Sequence, residues 1–246
     1  MSLAAGAFVL VAVLLTATLS GVLGMAGGLL LMGVLLLVLP TAVAFVVHGL
    51  LQLVSNGWRT VLHRRHVRWR VIAWYSLGSL AAAALVAALA GVPSKAVTYL
   101  ALGLVPALVW LPRRWLALDI TRPQQAVAAG LLVTGVNLVA GVSGPLLDVF
   151  FVRAELGRHA VVATKAATQA LAHLAKVAVY GAALGAGGSG VPWSVVLLGV
   201  PLSLVGTAIG ARLLDRMSEA SFATTTRWVV TGIGAAYLVQ AARLAA

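Results

Sequence analysis

Two stretches of an otherwise apolar chain repeat polar side chains at the same spacing, i, i+4, i+8 and i+11. The eight positions are His48, Gln52, Asn56 and Arg59 in the first stretch, and Lys165, Gln169, His173 and Lys176 in the second. At about 100° per residue, this spacing keeps the four side chains of a helix within roughly 80° of one another. Each stretch therefore predicts a helix with one narrow polar face.

The chemistry of these residues is that of an anion-binding site. Lysine supplies positive charge, while amide and imidazole groups donate hydrogen bonds. A charged side chain that faces lipid costs at least ~2.5 kcal/mol, so the two helices should turn their polar faces onto a shared cavity. We expect Lys165 to lie too deep to reach a membrane surface. Lys176 and Arg59 should extend to the outer and inner faces of the membrane, respectively.

Glycine-rich breaks precede two short apolar runs and favour the same kind of site. The breaks are "GVLGMAGG" at 21–28 and "GVSGP" at 141–145. Free backbone N–H groups at helix N-termini favour anions, and glycine lets a ligand approach the backbone closely. The glycines assigned to the site on this basis are Gly24, Gly27, Gly28, Gly141 and Gly144. For the GxxxG pairs Gly206–Gly210 and Gly181–Gly185 we expect helix packing instead.

Asp148 is the one carboxylate that we expect inside the membrane region. It could pair with Lys165, which would leave the site nearly neutral, or it could carry protons, and the sequence leaves both roles open. The chain contains no HExxH motif and no cysteine. We therefore predict no metal, no cofactor and no catalytic group.

The elements that hold these residues are predicted to lie in a membrane. Of the 246 residues, 62% are hydrophobic and 9% are charged, with a mean hydropathy of +1.07, and such a composition cannot cover a soluble surface with polar groups. The apolar runs are continuous rather than alternating, so the spans should be helices. The net charge of +12 is dispersed over short loops, which argues against a nucleic-acid partner. The prediction is an all-α polytopic membrane protein.

Breaks at proline, glycine and charged residues divide the chain into ten predicted elements. They run over 3–23, 25–39, 41–58, 71–90, 96–111, 125–141, 145–152, 159–184, 191–211 and 222–243. A full crossing needs about 20 helical residues, so 25–39 and 145–152 are predicted to be broken or re-entrant helices. If the elements alternate across the membrane, thirteen arginines fall on one side. The positive-inside rule makes that side cytoplasmic.

The two polar stretches also indicate an internal repeat. Their positions lie 117 residues apart, and Gly21 and Gly24 match Gly141 and Gly144 at an offset of 120. Each half would hold five elements, an odd number, so the halves would run through the membrane in opposite directions. We therefore predict one integral membrane domain made of two inverted-topology repeats, residues 1–120 and 121–246.

Three segments resemble the TauE/SafE family of sulfite-exporter-like membrane proteins. They are "GMAGGLLLMGVLLLVLP" at 24–40, "VVHGLLQLVSNGWRTVLHRRHVRWR" at 46–70 and "ATKAATQALAHLAKVAVYG" at 163–181. The second glycine motif departs from the family pattern in "GVSGPLLDVFF", where Asp148 stands at a position expected to be uncharged. The resemblance implies export of sulfur-containing anions, sulfite or an organosulfonate such as sulfoacetate. The departure leaves a different anion open.

On this basis we expect a secondary transporter of the bacterial plasma (inner) membrane that exports a small anion by alternating access. Its partners would be the anion and the lipid bilayer, and a homodimer is left open. The alternatives are an anion channel, a membrane scaffold and an intramembrane enzyme acting on lipid. A scaffold would not need matched polar faces, and an enzyme would need a nucleophile–base pair or a metal cluster.

Overall fold

The computed structural model describes residues 2–23, 25–89, 91–112, 118–185, 190–214 and 219–245. Within these ranges the chain is helical and contains no β-strand. The α-helices are α1 (Leu3–Leu23), α2 (Met25–Val38), α3 (Thr41–Leu62), α4 (Trp69–Leu89), α5 (Lys95–Leu104), α6 (Pro123–Ala140), α7 (Gly144–Val149), α8 (Arg158–Leu184), α9 (Trp193–Leu214) and α10 (Glu219–Ala245). Two short 3-10 helices cover Arg64–His66 and Val105–Trp110.

The predicted elements agree with the structure apart from their ends. α3 continues to Leu62, so Arg59 lies within the helix rather than beyond it. The element predicted at 96–111 changes from α-helix to 3-10 helix next to Pro106, which has no backbone N–H to continue the α-helical pattern. α7 has only 6 residues, far fewer than a crossing needs, so the chain contains a broken helix at this point as predicted.

Five described helices are long and apolar enough to cross a membrane, and they are α1, α4, α6, α9 and α10. The two helices with polar faces, α3 and α8, are also long, at 22 and 27 residues. The first part of α3, residues 41–49, is buried throughout, which places this helix inside the bundle. The protein is therefore an all-α, multi-pass membrane protein with polar helices in its interior.

Helix pairing is nearly unchanged when the two halves of the chain are exchanged. α1 packs along α9 as α6 packs along α4, α3 packs on α8, and α5 packs on α10. The pattern is compatible with two structural repeats. The division into residues 1–120 and 121–246, and the opposite direction of the two halves, stay predictions.

Glycine permits close backbone contact in both of the equivalent helix pairs. A Cβ atom on Gly210 would meet the carbonyl oxygen of Thr18 in α1, and one on Gly78 of α4 would meet the carbonyl oxygen of Val127 in α6. Gly206 also lies against α1, where a Cβ atom would be 2.6 Å from the carbonyl oxygen of residue 14. The packing role predicted for Gly206–Gly210 is therefore confirmed.

The packing role predicted for Gly181–Gly185 is wrong. A Cβ atom on Gly181 would meet open space, with no atom within 4 Å. Gly185 instead ends α8 with φ at +78°, a conformation that glycine adopts without strain. A GxxxG spacing indicates close packing only where another helix lies against that face, and none of the described helices does so here.

Apolar side chains hold the two short helices beside the glycine-rich breaks. Leu29 and Met32 of α2 are buried in a cluster that includes Phe45 of α3. Leu147 of α7 is buried in a second cluster, together with Tyr75 of α4. In a membrane such apolar contacts stabilise the helices through close van der Waals packing rather than through removal from water. Both short helices are thus fixed in place although neither is long enough to span the membrane.

Contacts between loops bring the arginine-rich segments together at one end of the bundle. The backbone N–H of Ile120 donates to the carbonyl of Phe150 at 2.8 Å. The N–H of Arg68 donates to Thr164 Oγ1 of α8 at 3.1 Å. We call this end, formed by residues 63–68, 118–122 and 150–157, the Arg-rich end. Arg113, Arg114 and Arg216, which the sequence assigns to the same side, lie outside the described residues.

The opposite end of the bundle contains one of the few cations expected on that side. Lys95 Nζ donates to the carbonyl of Leu36, in the last turn of α2, at 2.7 Å. A cation there is favourable because the carbonyl groups at a helix C-terminus carry partial negative charge.

Candidate functional site

The long helices α3 and α8 lie antiparallel, and their polar faces meet. Near the start of α3, His48 contacts Lys176, in the last third of α8. Just after the end of α3, Arg68 contacts Thr164, near the start of α8. The residues between these two contacts therefore face each other along one seam.

A cavity of about 380 Å³ lies along this seam, within the size range of small-molecule sites. Seven of the eight repeated polar residues line it, and Lys176 is the exception. The seven are His48, Gln52, Asn56, Arg59, Lys165, Gln169 and His173. Gly28, Gly144 and Asp148 line it as well. The structure thus brings most of the predicted site together.

Charged side chains lie in the part of the cavity near the Arg-rich end. Lys165 Nζ is 2.8 Å from Asp148 Oδ1, and the two side chains are 28% and 43% exposed, so the pairing that the sequence left open as one role of Asp148 is present. The Lys165 amine also lies 5.2 Å from the centre of the Phe151 ring. Arg59 is half-buried in the same cavity. Two cations thus face one carboxylate among the described lining residues, which gives the cavity a net positive charge.

At the opposite end of the seam, a chain of hydrogen bonds joins both halves of the protein. Lys176 Nζ lies 2.8 Å from His48 Nδ1 and donates to the carbonyl of Gly141, also at 2.8 Å. The other ring nitrogen, His48 Nε2, lies 3.0 Å from the carbonyl of Gly28. A carbonyl oxygen can only accept, so Nε2 carries the proton and Nδ1 accepts from Lys176. We call this set of contacts the lysine bridge.

Burial of the lysine bridge corrects one prediction. Lys176 and His48 are both 0% exposed, so the prediction that Lys176 extends to the outer face of the membrane is wrong. The reason lies in Gly141, which ends α6 with φ at +79°. The chain turns away from the helix there, and the Gly141 carbonyl becomes an internal acceptor for the amine.

Three buried polar atoms beside the cavity have no hydrogen-bond partner among the described residues. They are His173 Nδ1, Asn137 Oδ1 and Thr226 Oγ1, and all three residues line the cavity. The rings of His173 and His48 are 5.6 Å apart. Because most buried polar atoms in proteins are hydrogen-bonded, these three atoms are available to a molecule that enters the cavity.

The glycines assigned to the site do not all line the cavity. A Cβ atom on Gly28 would lie 2.5 Å from Gln52 Nε2, so this glycine leaves room for the amide in the cavity. Gly27 instead packs against the carbonyl of Thr16 in α1, and it lines a separate space of about 20 Å³. Gly24 lies outside the described residues.

Sequence reasoning missed several polar residues of the cavity. Asn137 and Ser143 line it from the end of α6 and the turn that follows, and Arg59 lines it from the polar face of α3. A lone amide in the apolar stretch of α6 was a signal for Asn137. Arg59 was on the correct face, but we had expected it at the membrane surface because it lies near the end of its helix.

A helical membrane protein with a polar cavity between two interior helices has the architecture of a transporter or a channel. The sequence profile of the family described as Sulfite exporter TauE/SafE matches residues 9–237, nearly the whole chain. The chain therefore belongs to the TauE/SafE family, whose members are membrane transporters that export sulfite and related sulfur anions. Comparison with curated proteins and with solved structures gave no match.

Proposed function

We propose that the protein is a secondary transporter that exports a small sulfur-containing anion across the bacterial plasma (inner) membrane. The substrate would be sulfite or an organosulfonate such as sulfoacetate. One observation carries the proposal: two matched polar helix faces enclose a positively charged cavity inside an otherwise apolar bundle. Polar groups in a membrane interior are costly, so a cavity of this kind is expected to serve a polar substrate.

The residues of the cavity suit an oxyanion. Lys165 and Arg59 supply positive charge, and Arg can bind two oxygens of one anion. Further donors are the side-chain amides and the second imidazole, from Gln52, Asn56, Gln169 and His173. Backbone at Gly28 and Gly144 also borders the space, so the anion would be surrounded by donors from both halves.

The direction of access follows from the charge distribution. The ion pair of Lys165 and Asp148 is partly exposed, while the lysine bridge is fully buried. Under the positive-inside rule the Arg-rich end faces the cytoplasm, so an anion would enter the cavity from there. Export would then require the two halves to move against each other, as in alternating access between repeats. Asp148 and the two cavity histidines are candidates for coupling protons to that movement.

Transport by reconstituted protein tests this proposal. Proteoliposomes would be loaded with sulfite, sulfoacetate, sulfate or chloride, and counterflow measured for the wild type and for Lys165→Ala. We expect saturable counterflow of a sulfur anion, reduced at least about tenfold in the variant because a charge-assisted hydrogen bond is lost.

The matched control is Arg243→Ala, which removes an exposed positive charge that is not among the residues lining the cavity and should leave counterflow unchanged. Transport that rises linearly with anion concentration and shows no counterflow would support a channel instead. Folded protein that moves none of the four anions would contradict the proposal.

A further inference from the structure

Lys176 is a fully buried amine with no anionic partner among the described residues. Its two acceptors, His48 Nδ1 and the Gly141 carbonyl, are both uncharged. No carboxylate of the described residues lies within salt-bridge distance of it. A buried ammonium without an anionic partner is costly, and an anion beside it removes much of that cost because Coulomb attraction is strong in a low-dielectric interior.

The amine lies just behind the wall of the cavity. His48 lines the cavity with its ring and contacts Lys176 directly. His173, almost one helical turn before Lys176, also lines the cavity and has a buried Nδ1 atom without a partner. On the same helix face, Lys165 and Lys176 are eleven residues apart, about 16 Å along the axis. The two histidines therefore lie between two lysines.

We propose that Lys176, together with His48, forms a second anion-binding station at the end of the seam opposite Lys165. This inference rests on the proposed transport function. The ligand is a small oxyanion, which takes the place of His48 Nδ1 as an acceptor for the Lys176 amine while His173 binds it on the way. The anion moves from Lys165 to Lys176 as the lysine bridge opens.

Access to this station from the far side requires α3 and α8 to separate. A Cβ atom on Gly49 would lie 2.7 Å from Val177 Cγ2 and 3.3 Å from Lys176 Cε, so the helices are in close contact beside the amine. Nearer the end of the seam, the rings of Phe45 and Tyr180 pack edge to face with centroids 4.7 Å apart. Opening these contacts would expose Lys176 to the compartment opposite the Arg-rich end.

The first test replaces the amine. We expect Lys176→Met to bind sulfite at Lys165 with a nearly unchanged Kd, while sulfite counterflow falls roughly ten- to hundredfold because one charge-assisted hydrogen bond is lost. The matched control is Lys95→Met, which removes a lysine that bonds a helix carbonyl but does not border the seam. The control should transport like the wild type.

The second test leaves Lys176 in place. The chain has no cysteine, and a Cβ atom on Gly49 would lie 2.7 Å from Val177 Cγ2, so these two positions face each other and a disulfide between them would hold α3 against α8. Oxidised Gly49→Cys/Val177→Cys should bind sulfite but not transport it, and reduction should restore counterflow. The same double variant kept reduced, and Val177→Cys alone treated with the same oxidant, should transport sulfite throughout.

The outcomes separate this inference from the proposed function. Wild type that transports sulfite, together with Lys176→Met that transports it equally well, overturns the second station alone. Transport by the oxidised double variant overturns the opening of the lysine bridge. Wild type that neither binds nor transports any anion overturns the proposed function, and the station with it.

Discussion

The two ends of the seam between α3 and α8 each hold a buried or half-buried lysine, but in different surroundings. Both hold a lysine on the same face of α8. At the Arg-rich end, Lys165 pairs with the carboxylate of Asp148 and stays partly exposed. At the other end, Lys176 is fully buried and bonds only neutral groups. Lys165 is thus partly exposed and paired with an opposite charge, whereas Lys176 is buried and held by hydrogen bonds to neutral groups alone.

The predicted repeat extends this comparison. In it, His48 and Lys165 would be equivalent positions at the offset of 117, and Gly28 and Asp148 at the offset of 120. In each half, the first of the four regularly spaced polar residues bonds the short helix after the glycine break. His48 bonds a backbone carbonyl there, and Lys165 bonds a side chain. The Asp148 side chain can move away from Lys165 while α7 stays in place. The Gly28 carbonyl can move away from His48 only if the backbone of α2 moves.

Removing the histidine of the lysine bridge should have the largest effect on the fold. His48→Phe fills similar space but leaves the Lys176 amine and the Gly28 carbonyl short of a partner. We expect a loss of about 1–3 kcal/mol in the free energy of unfolding for each buried group left unsatisfied, measured by thermal denaturation in detergent. His66→Phe changes an exposed loop histidine and is the control. Equal melting temperatures for the two variants would show that the bridge does not stabilise the fold.

Neutralising the Asp148 carboxylate, at the Arg-rich end of the seam, should affect anion binding more than the stability of the fold. In Asp148→Asn the Lys165 amine no longer has an internal anion, so we expect the Kd for sulfite to fall roughly three- to tenfold because a competing charge is gone. Stability should change by less than about 1 kcal/mol, since partly exposed ion pairs contribute little. Titration of sulfite by calorimetry measures the Kd.

The control for this variant is Asp119→Asn, because Asp119 pairs with Arg122 outside the cavity. A weaker affinity in Asp148→Asn would mean that Asp148 holds Lys165 in place for the anion rather than competing with it.

A methyl group at Gly28 should have the smallest effect. The added Cβ atom would meet only the mobile end of Gln52, at 2.5 Å, so the amide must shift but no backbone must. We expect a stability change below about 1 kcal/mol and a decrease of a few-fold in sulfite counterflow. Gly135→Ala, where a Cβ atom meets open space, is the control. A loss of folding in Gly28→Ala would show that the contact with His48 depends on the exact path of α2.

Much of the fold could be predicted from the sequence, because its signals are local. Continuous apolar runs with proline and glycine breaks gave elements whose ends agree with the structure to within a few residues. The shared cavity followed from a helical spacing and from the cost of facing lipid with a charged group. The pairing of Lys165 with Asp148 was one of two roles that the sequence left open for the single carboxylate expected in the membrane region.

What could not be predicted depends on contacts between distant segments. The burial of Lys176 depends on an acceptor at Gly141, 35 residues earlier in the chain. Counting helical rise gave the depth of Lys176 along its helix but said nothing about that acceptor. The error at Gly181 has the same cause. The Gly181–Gly185 pair has the same spacing as Gly206–Gly210, but none of the described helices lies against Gly181.

Gly141 has two roles, and the combination has a thermodynamic consequence. Its N–H closes the last turn of α6 by donating to the backbone carbonyl of Asn137 at 2.8 Å, and its own carbonyl accepts a hydrogen bond from Lys176 of α8. Fraying of α6 and release of the amine are therefore linked equilibria, and each lowers the free energy required for the other. Amide hydrogen exchange at the end of α6 should report on a lysine in a different helix, although the two helices are far apart in the chain.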